Sequence, residues 1–599
     1  MKKALTARLI RKHFGPRAKI VWRLRGGFLV KTRTGGKVVV TDREWKDLQG
    51  GQDVWEGVVG LYGDLGGRGV KVSGTAEHIA HALLAGRKLG VAVEACETKR
   101  FFGLLRTPPP ALPSPSGAHG SQGLDSSEAA LRAAGLLGPG RGEGIRVGAC
   151  WETGEPLRYA GDAAENSIIG FGPPGSGKGV DFEIPAGLEF SGSQAYVDPS
   201  GQLFMTIAPE LLRRGVRVIP IMPFTEGFPD EVVALAKQTR CLNPMDALTA
   251  GEGFDADRAE LAQLLNPEEK GTGGDPFFSL SGRGLKTLLI GCVKLYSHPA
   301  EQNLCEVYHK LGDVFGYARS LMGKPNMPRS ISTPLRRWAA KGAETDRTLR
   351  SIVETALAEL SWLGDEAIER VLLTSSFAWD DLKNGPRPVA VFVLLPVNKL
   401  ESHKSFLTLC CGAGLMGLSK TERGKHRVLI TVDEAALLGY MPMLQRALAE
   451  SRKRGLQLSV WFQNIHQASA IYGHEAWRNL LSGSDLQIHL RPRDLASAEF
   501  ISHEIGNYSE VIPHFSHGMG PGGRPQESVS FGEQGRPVLF PQEIMALPNH
   551  PSGGSAAILI APGRSRNALK IWARPWFQCP DLRHKGGVDA YHRHRGKGA

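Results

Sequence analysis

From about Ile145 onward the chain alternates short, almost wholly apolar runs with stretches of helical length, and few folds accommodate that alternation. The runs fall at 167–171, 194–198, 216–222, 388–395, 427–433, 456–463, 486–490 and 556–560. A strand with one wet face alternates apolar and polar residues, whereas a strand covered on both faces is apolar throughout. Runs of the second kind, separated by helices, predict an α/β fold with a mostly parallel sheet. Between 257 and 373 the runs stop and the spacing turns helical. Leu285, Leu288, Leu289, Cys292, Leu295 and Tyr296 share one stripe, and Leu349, Ile352, Val353, Ala356, Leu357 and Leu360 share another. The expected architecture is a sheet domain in two segments, 145–256 and 374–582, around an all-helical insertion at 257–373.

The flanks read differently. Residues 1–105 form a small mixed α/β region that opens with Lys2, Lys3, Arg8, Arg11, Lys12, Arg17, Lys19, Arg23 and Arg25 before any acidic residue. That is a phosphate-binding or membrane-surface face, or a merely solvated one. Residues 106–144 read as a linker, because PPPALPSPSG, GSQG and GPGRGEG are too rich in proline, glycine and serine to build a core. Residues 583–599 read as a basic flexible tail.

Composition narrows the class. A net charge of +12 favours an anionic partner, either nucleic acid or an anionic membrane surface. The eight cysteines are scattered without a CxxC or Cys/His spacing, which argues against a zinc site and for reduced thiols in a cytosolic setting. No stretch reaches the ~18 apolar residues a spanning helix needs, and the first residues lack the apolar core of a signal peptide.

The chemistry begins where the run at 167–171 meets Gly172, Pro173, Pro174, Gly175, Ser176, Gly177, Lys178, Gly179 and Val180. Glycines let backbone N–H groups curl around phosphate oxygens, a following helix start adds positive potential, and Lys178 would neutralise the β- and γ-phosphates of ATP. An ordinary glycine-rich turn has the same composition. The serine or threonine that usually follows the lysine, and offers a hydroxyl to Mg²⁺, is replaced by Gly179. The run at 427–433 ends in Asp433 and Glu434, which suits Asp433 to hold Mg²⁺ and Glu434 to act as general base; the other reading is a solvated acidic turn. The next strand ends in Gln463, a residue able to sense the γ-phosphate or orient water, or simply to cap the strand. Together these residues would gather at the carboxyl edge of a parallel sheet.

This ordered set resembles the type IV secretion coupling proteins, the conjugative coupling ATPases, over residues 148–582. The likeness runs through GPPGSGKGVDFEIPAGL, SGSQAYVDPSGQLF, RRGVRVIPIMPF and CLNPMDAL. Its most specific part is VLITVDEAALLGYMPMLQRALAESRKRGLQLSVWFQNIHQASAIYG, followed by SAEFISHEIGNYS, RPVLFPQEIMALP and ILIAPGRSRNALKIWARPWFQCP. Many members of that family also carry glycine after the lysine. Two features depart from it: Ser200 stands where lysine is common, and the two N-terminal membrane helices of typical members are missing.

The resemblance implies a RecA-like P-loop ATPase that uses ATP and Mg²⁺. It also implies a homo-hexamer with ATP between subunits and an arginine acting in trans, for which Arg452, Arg454, Arg491 and Arg493 are candidates. The implied task is to feed DNA, or a relaxase–DNA complex, into a type IV secretion channel, with protein effectors or a weakly hydrolysing scaffold role as alternatives. The implied place is the cytoplasmic side of the bacterial inner membrane, reached peripherally through residues 1–105, through a small membrane-anchoring partner or anionic lipid.

Overall fold

A computed structural model of the chain describes residues 115–137, 144–159, 167–237, 239–266, 276–520 and 524–587, together with the backbone of six strands before residue 96. The chain divides into two compact units.

The first unit comprises Met1–Ser121 and Asn507–Pro537. Four antiparallel strands, β1 (Lys19–Leu24), β2 (Gly27–Lys31), β3 (Lys37–Thr41) and β4 (Trp45–Gln49), pair in sequential order, while β5 (Val70–Val72) and β6 (Val93–Ala95) form a parallel pair. Two long strands, β17 (Asn507–Gly520) and β18 (Arg524–Pro537), form an antiparallel ribbon that pairs along its whole length with itself. Residues 115–121 are tied to this ribbon: Gly117 N donates to Glu533 Oε1 at 3.1 Å and His119 N to Ser509 Oγ at 3.0 Å. The sequence predicts 507–537 as part of the sheet domain, which the structure corrects. The ribbon's two strands pair with each other and join no strand of that sheet.

The second unit carries a twelve-stranded sheet. Its strands are β7 (Leu124–Asp125), β8 (Ile145–Cys150), β9 (Pro156–Tyr159), β10 (Ile168–Phe171), β11 (Ser193–Val197), β12 (Arg217–Ile221), β13 (Val389–Val393), β14 (Val428–Val432), β15 (Leu456–Phe462), β16 (Leu486–Leu490), β19 (Ser555–Ile560) and β20 (Ala568–Ala573). The order is β12-β13-β11-β14-β15-β10-β16-β19-β20-β8-β9, with β7 beside β20. Every pairing from β12 to β16 is parallel, and every pairing from β16 to β9 is antiparallel. All eight strands read from the sequence form within a residue or two of their expected ends. β10, β11, β13, β14, β15 and β16 are buried at every position, as their largely apolar runs predict, although β11, β15 and β16 also bury polar residues such as Gln194, Gln457 and His489.

Between β12 and β13 the described chain is helical, with its longest helices at Pro276–Tyr296, Arg347–Leu360, Phe254–Leu264 and Arg329–Ala339. Leu285, Leu289 and Ile352 of these helices share one continuous core with Ile169, Val197, Ile219 and Val432 of the sheet. On the opposite face the helix Gln202–Arg213 packs Leu203, Phe204 and Ile207 against Tyr196 and Phe392, joined there by Trp576, Cys579 and Leu582 from the last turns. Burial of each such side chain contributes about 1.5–3 kcal/mol.

Two readings of the flanks need correction. Residues 122–137, read as linker, hold β7 and the helix Glu128–Ala133, capped by Ser127, with Leu131, Ala134, Leu136 and Leu137 buried. Proline is absent from this stretch and its two glycines, Gly123 and Gly135, flank β7 and the helix rather than interrupt them, so the surrounding composition hid a short ordered element. At the other end, Gly587 N donates to Thr206 O at 2.8 Å, so the expected tail begins as an ordered turn; residues 588–599 lie outside the described residues. The seven described cysteines are all free. Among the described residues no helix is long and apolar enough to cross a membrane.

Candidate functional site

Four neighbouring strands in the parallel half, β11, β14, β15 and β10, end at the same edge of the sheet. They deliver Asp198, Asp433 with Glu434, Gln463, and the loop 172–180, in that order. Carboxyl ends of parallel strands gather this way because every crossover returns the chain to the far edge.

The loop is held by the frame beneath it. Gly172 N donates to Phe462 O at 2.9 Å, which ties the loop's root to β15. Gly175 and Gly177 adopt positive φ of 73° and 100°, which L side chains rarely tolerate. At Gly177 a Cβ would also collide with the Asp181 carboxylate, 2.1 Å away. Residues Lys178–Glu183 then form a π-helical turn that passes into the α-helix Ile184–Glu189. Pro185 has no N–H to give the Asp181 carbonyl, and Ile184 N bonds instead to Gly179 O, so the wider turn follows from sequence.

Lys178 Nζ donates to the backbone oxygen of Asp433 at 2.7 Å and lies 3.1 Å from Asp433 Oδ1 and 3.4 Å from Glu434 Oε2. Gln463 Nε2 donates to that same Glu434 oxygen at 2.6 Å, while Gln463 N donates to Gln467 Oε1 at 2.9 Å. The structure therefore brings together the four polar residues that the sequence singled out from three separate strand ends.

Asp198, two acids on the π turn and Gln202 were not singled out in advance. Asp198 is fully buried, accepting from Ser200 Oγ at 3.0 Å and Phe204 N at 2.8 Å, and burial lifts its pKa to about 7. Burial also raises Asp181 well above the usual range. Glu183 is raised by burial and by the facing Asp433 carboxylate. Glu434 is raised by burial, with Lys178 and Gln463 opposing. For Lys178, burial works against the charge, but Asp433, Glu183 and Glu434 together hold the pKa above its ordinary value. A signal for Asp198 existed, since the run at 194–198 ends in a carboxylate just as the run at 427–433 does.

A cleft of about 870 Å³ opens over the loop. Pro173, Gly175–Val180, Asp181, Glu183, Gln202, Asp433, Arg491 and Arg493 are on its wall. Glu434 and Gln463 stand behind Lys178 and Asp433 and do not line it. Of the four arginines considered, Arg491 and Arg493 follow β16 at the carboxyl edge. Arg454 precedes β15 and so lies at the opposite edge, lining a separate cavity with Asp257, Glu260 and Lys420. The Arg452 side chain lies outside the described residues.

A profile of the family described as Type IV secretory system Conjugative DNA transfer matches residues 141–594. The conjugal transfer protein TraG of Agrobacterium fabrum is 23% identical over 444 residues, covering 73% of this chain and 64% of that protein. The type IV secretion system-coupling protein VirD4 of Bartonella henselae is 25% identical over 401 residues, covering 65% and 60%. The chain thus spans under two thirds of the length of these curated relatives. Among solved structures, the bacterial conjugative coupling protein TrwB lacking its first 70 residues superposes with a TM-score of 0.54 at 17% identity, covering 75% of this chain and 92% of that one. TrwB in complex with ADP and Mg²⁺ superposes with a TM-score of 0.52 at 16% identity, covering 76% and 94%. The fold is that of a RecA-like P-loop ATPase with a mostly parallel sheet.

Proposed function

Because this chain belongs to the family of type IV secretory system conjugative DNA transfer proteins, we propose that it is an ATP-driven coupling motor that passes DNA, or a relaxase–DNA complex, to a type IV secretion channel. The single observation that carries this reading is the cluster of Lys178, Asp433, Glu434 and Gln463 beside the glycine loop at one sheet edge.

The division of labour follows from the distances. Lys178 is shared among oxygens of Asp433 and Glu434, and the β- and γ-phosphates of ATP compete for it. As they take it, Glu434 keeps its hydrogen bond from Gln463 and becomes free to accept a proton from the attacking water. Its raised pKa, caused first by burial, brings it nearer the working pH of such a base. Asp433 lines the cleft and suits Mg²⁺, and a buried acceptor behind it, Glu434 Oε1, has no hydrogen-bond partner. Bound there, Mg²⁺ would neutralise charge on the phosphates.

The finer features of the reading are a homo-hexamer with ATP between subunits, the helices between β12 and β13 as the cargo-facing element, and peripheral recruitment to the inner membrane through residues 1–105. The reading stands on the relatives' role in conjugation and on the net charge of +12. It is tested by measuring ATP hydrolysis by the full chain with and without DNA, for wild type and Lys178→Ala. The expected result is DNA-stimulated turnover that the substitution abolishes. Turnover indifferent to DNA would favour a protein cargo, and nucleotide binding without turnover would favour a scaffold.

A further inference from the structure

A loop that binds phosphate is crowded with negative charge in this chain. Lys178 is flanked by Glu183, Asp433 and Glu434, and Asp198 stands next to Glu183. Four carboxyl groups around one lysine would repel a polyphosphate unless another cation joins them. Glu183 is the member without an evident task. It is 1% exposed, and neither of its oxygens has a hydrogen-bond donor. The Asp433 carboxylate faces it, and both line the cleft. A buried carboxylate with no donor, facing an Asp433 carboxylate that lines the cleft and is paired on one oxygen with Lys178, forms part of a cation's shell.

The position of Glu183 relative to Gly179 gives that partial shell its meaning. A Cβ built on Gly179 would lie 3.5 Å from Glu183 Oε2 and 3.7 Å from Gln202 Oε1, an uncrowded spot with two oxygens at its rim. Residue 179 is where a P-loop normally supplies the hydroxyl for Mg²⁺. Glu183, four residues on, is brought back over that spot by the π turn; Gln202 comes from the start of the helix after β11. Both line the cleft with Asp433. Among the described residues no three His, Cys, Asp or Glu side chains converge as a self-sufficient metal site, so phosphate oxygens would complete the shell, as is usual for Mg²⁺.

We propose that Glu183, assisted by Gln202, supplies the divalent cation with the oxygen contact that the missing hydroxyl at position 179 would otherwise provide. The inference deepens the reading of the cleft as a nucleotide site and rests on it. The π turn is then the device that moves a metal contact from the loop residue to the helix behind it.

The test is binding of ADP to the full chain, once with EDTA and once with Mn²⁺, with Mn²⁺ binding followed directly by its paramagnetic resonance signal. In wild type Mn²⁺ should tighten ADP binding. Glu183→Gln keeps the size of the side chain but removes its charge. It should lower the metal-dependent gain about 10- to 100-fold while leaving metal-free ADP binding equal or tighter, because a negative charge beside the phosphates is gone. Gly179→Ser added to Glu183→Gln should recover most of the gain, since the spot admits a side chain. Gln202→Ala, at a partly exposed helix start where folding is not at stake, should lower the gain by up to about tenfold. If Glu183→Gln and Gln202→Ala both leave the gain at the wild-type value, or lower binding equally with and without metal, Glu183 is a packing residue and the proposal is wrong. If Glu183→Gln does not fold, Gln202→Ala decides by the same criterion. Wild type that binds no ADP under either condition overturns the nucleotide reading, and this inference with it; ADP binding whose metal gain ignores the variants overturns only this inference.

Discussion

The two halves of the large sheet are built on different rules. From β12 to β16 all neighbours are parallel, each strand is reached by a crossover, and the strand ends that hold Lys178, Asp433, Glu434 and Gln463 share one edge. Along the path from β16 to β9 every pairing is antiparallel, with only the two-residue β7 lying parallel to β20, and the strands come from chain regions some 400 residues apart, such as Ala149 opposite Trp572. The parallel half concentrates unsatisfied polar chemistry at its edge; the antiparallel half spends its polar groups on each other. Arg146, 3% exposed, donates to both Glu189 and Asp581 at 2.8 Å, and Arg158 donates to Glu189 beside it. One half should therefore fail in turnover and the other in stability.

The largest effect is expected in the parallel half. Glu434→Gln should cut ATP hydrolysis by ~10²–10⁴-fold while nucleotide binding and the melting temperature stay close to wild type. Single-turnover hydrolysis beside thermal melting measures both. Wild-type turnover in this variant would remove the contrast, because Glu434 would then be as structural as Arg146.

Next comes the antiparallel half. Arg146→Ala removes the buried arginine that bridges Glu189 and Asp581; Glu189 keeps its two bonds from Arg158, so the loss is that of charge-assisted hydrogen bonds, about 2–3 kcal/mol. Denaturant unfolding should show that loss, with ADP affinity unchanged for the protein that remains folded. A loss below about 1 kcal/mol would place this network with ordinary surface pairs.

The smallest effect belongs to the strand the two halves share. His489 lies on β16, fully buried, stacked on Phe171 of β10 with ring centroids 5.3 Å apart and paired in register with Ile558 of β19. Burial lowers its pKa to about 3. The unfolded chain takes up a proton near pH 6.5 that the folded chain refuses, so stability is whole above that pH and falls as the pH drops toward 3. The loss should approach about 2 kcal/mol by pH 5. His489→Phe should flatten that acid limb. An unchanged pH profile would mean that His489 charges within the fold.

How much of this was legible follows from the same contrast. Strands such as β13 and β14 are buried at every position and apolar at all but Thr431 because both faces are covered, and VAVFV or VLITV admits little else. β8 and β9 went unread: β9 has four residues that alternate in burial, and β8 contains Arg146 and a bulge at Gly148, where φ is 113°. A charged residue inside a strand reads as a surface position until its partners are known. Asp181 and Glu183, set among apolar neighbours on a short helical turn, were passed over for the same reason.

Local sequence by itself determined the parallel strands, the glycine loop, and the polar residue at each strand end, because each depends on a few consecutive residues and on burial of both sheet faces. Tertiary structure alone decided which strand ends meet. Lys178 and Asp433 are 255 positions apart, and their contact depends on β10, β15 and β14 lying side by side. It also decided that Glu183 is buried and leans over Gly179, since that requires Pro185 to open the π turn and β14 to present Asp433 opposite. The first condition is local, set by Pro185 just beyond the six residues Lys178–Glu183; the second arises only when the sheet closes over them and removes the water that would otherwise solvate a carboxylate there.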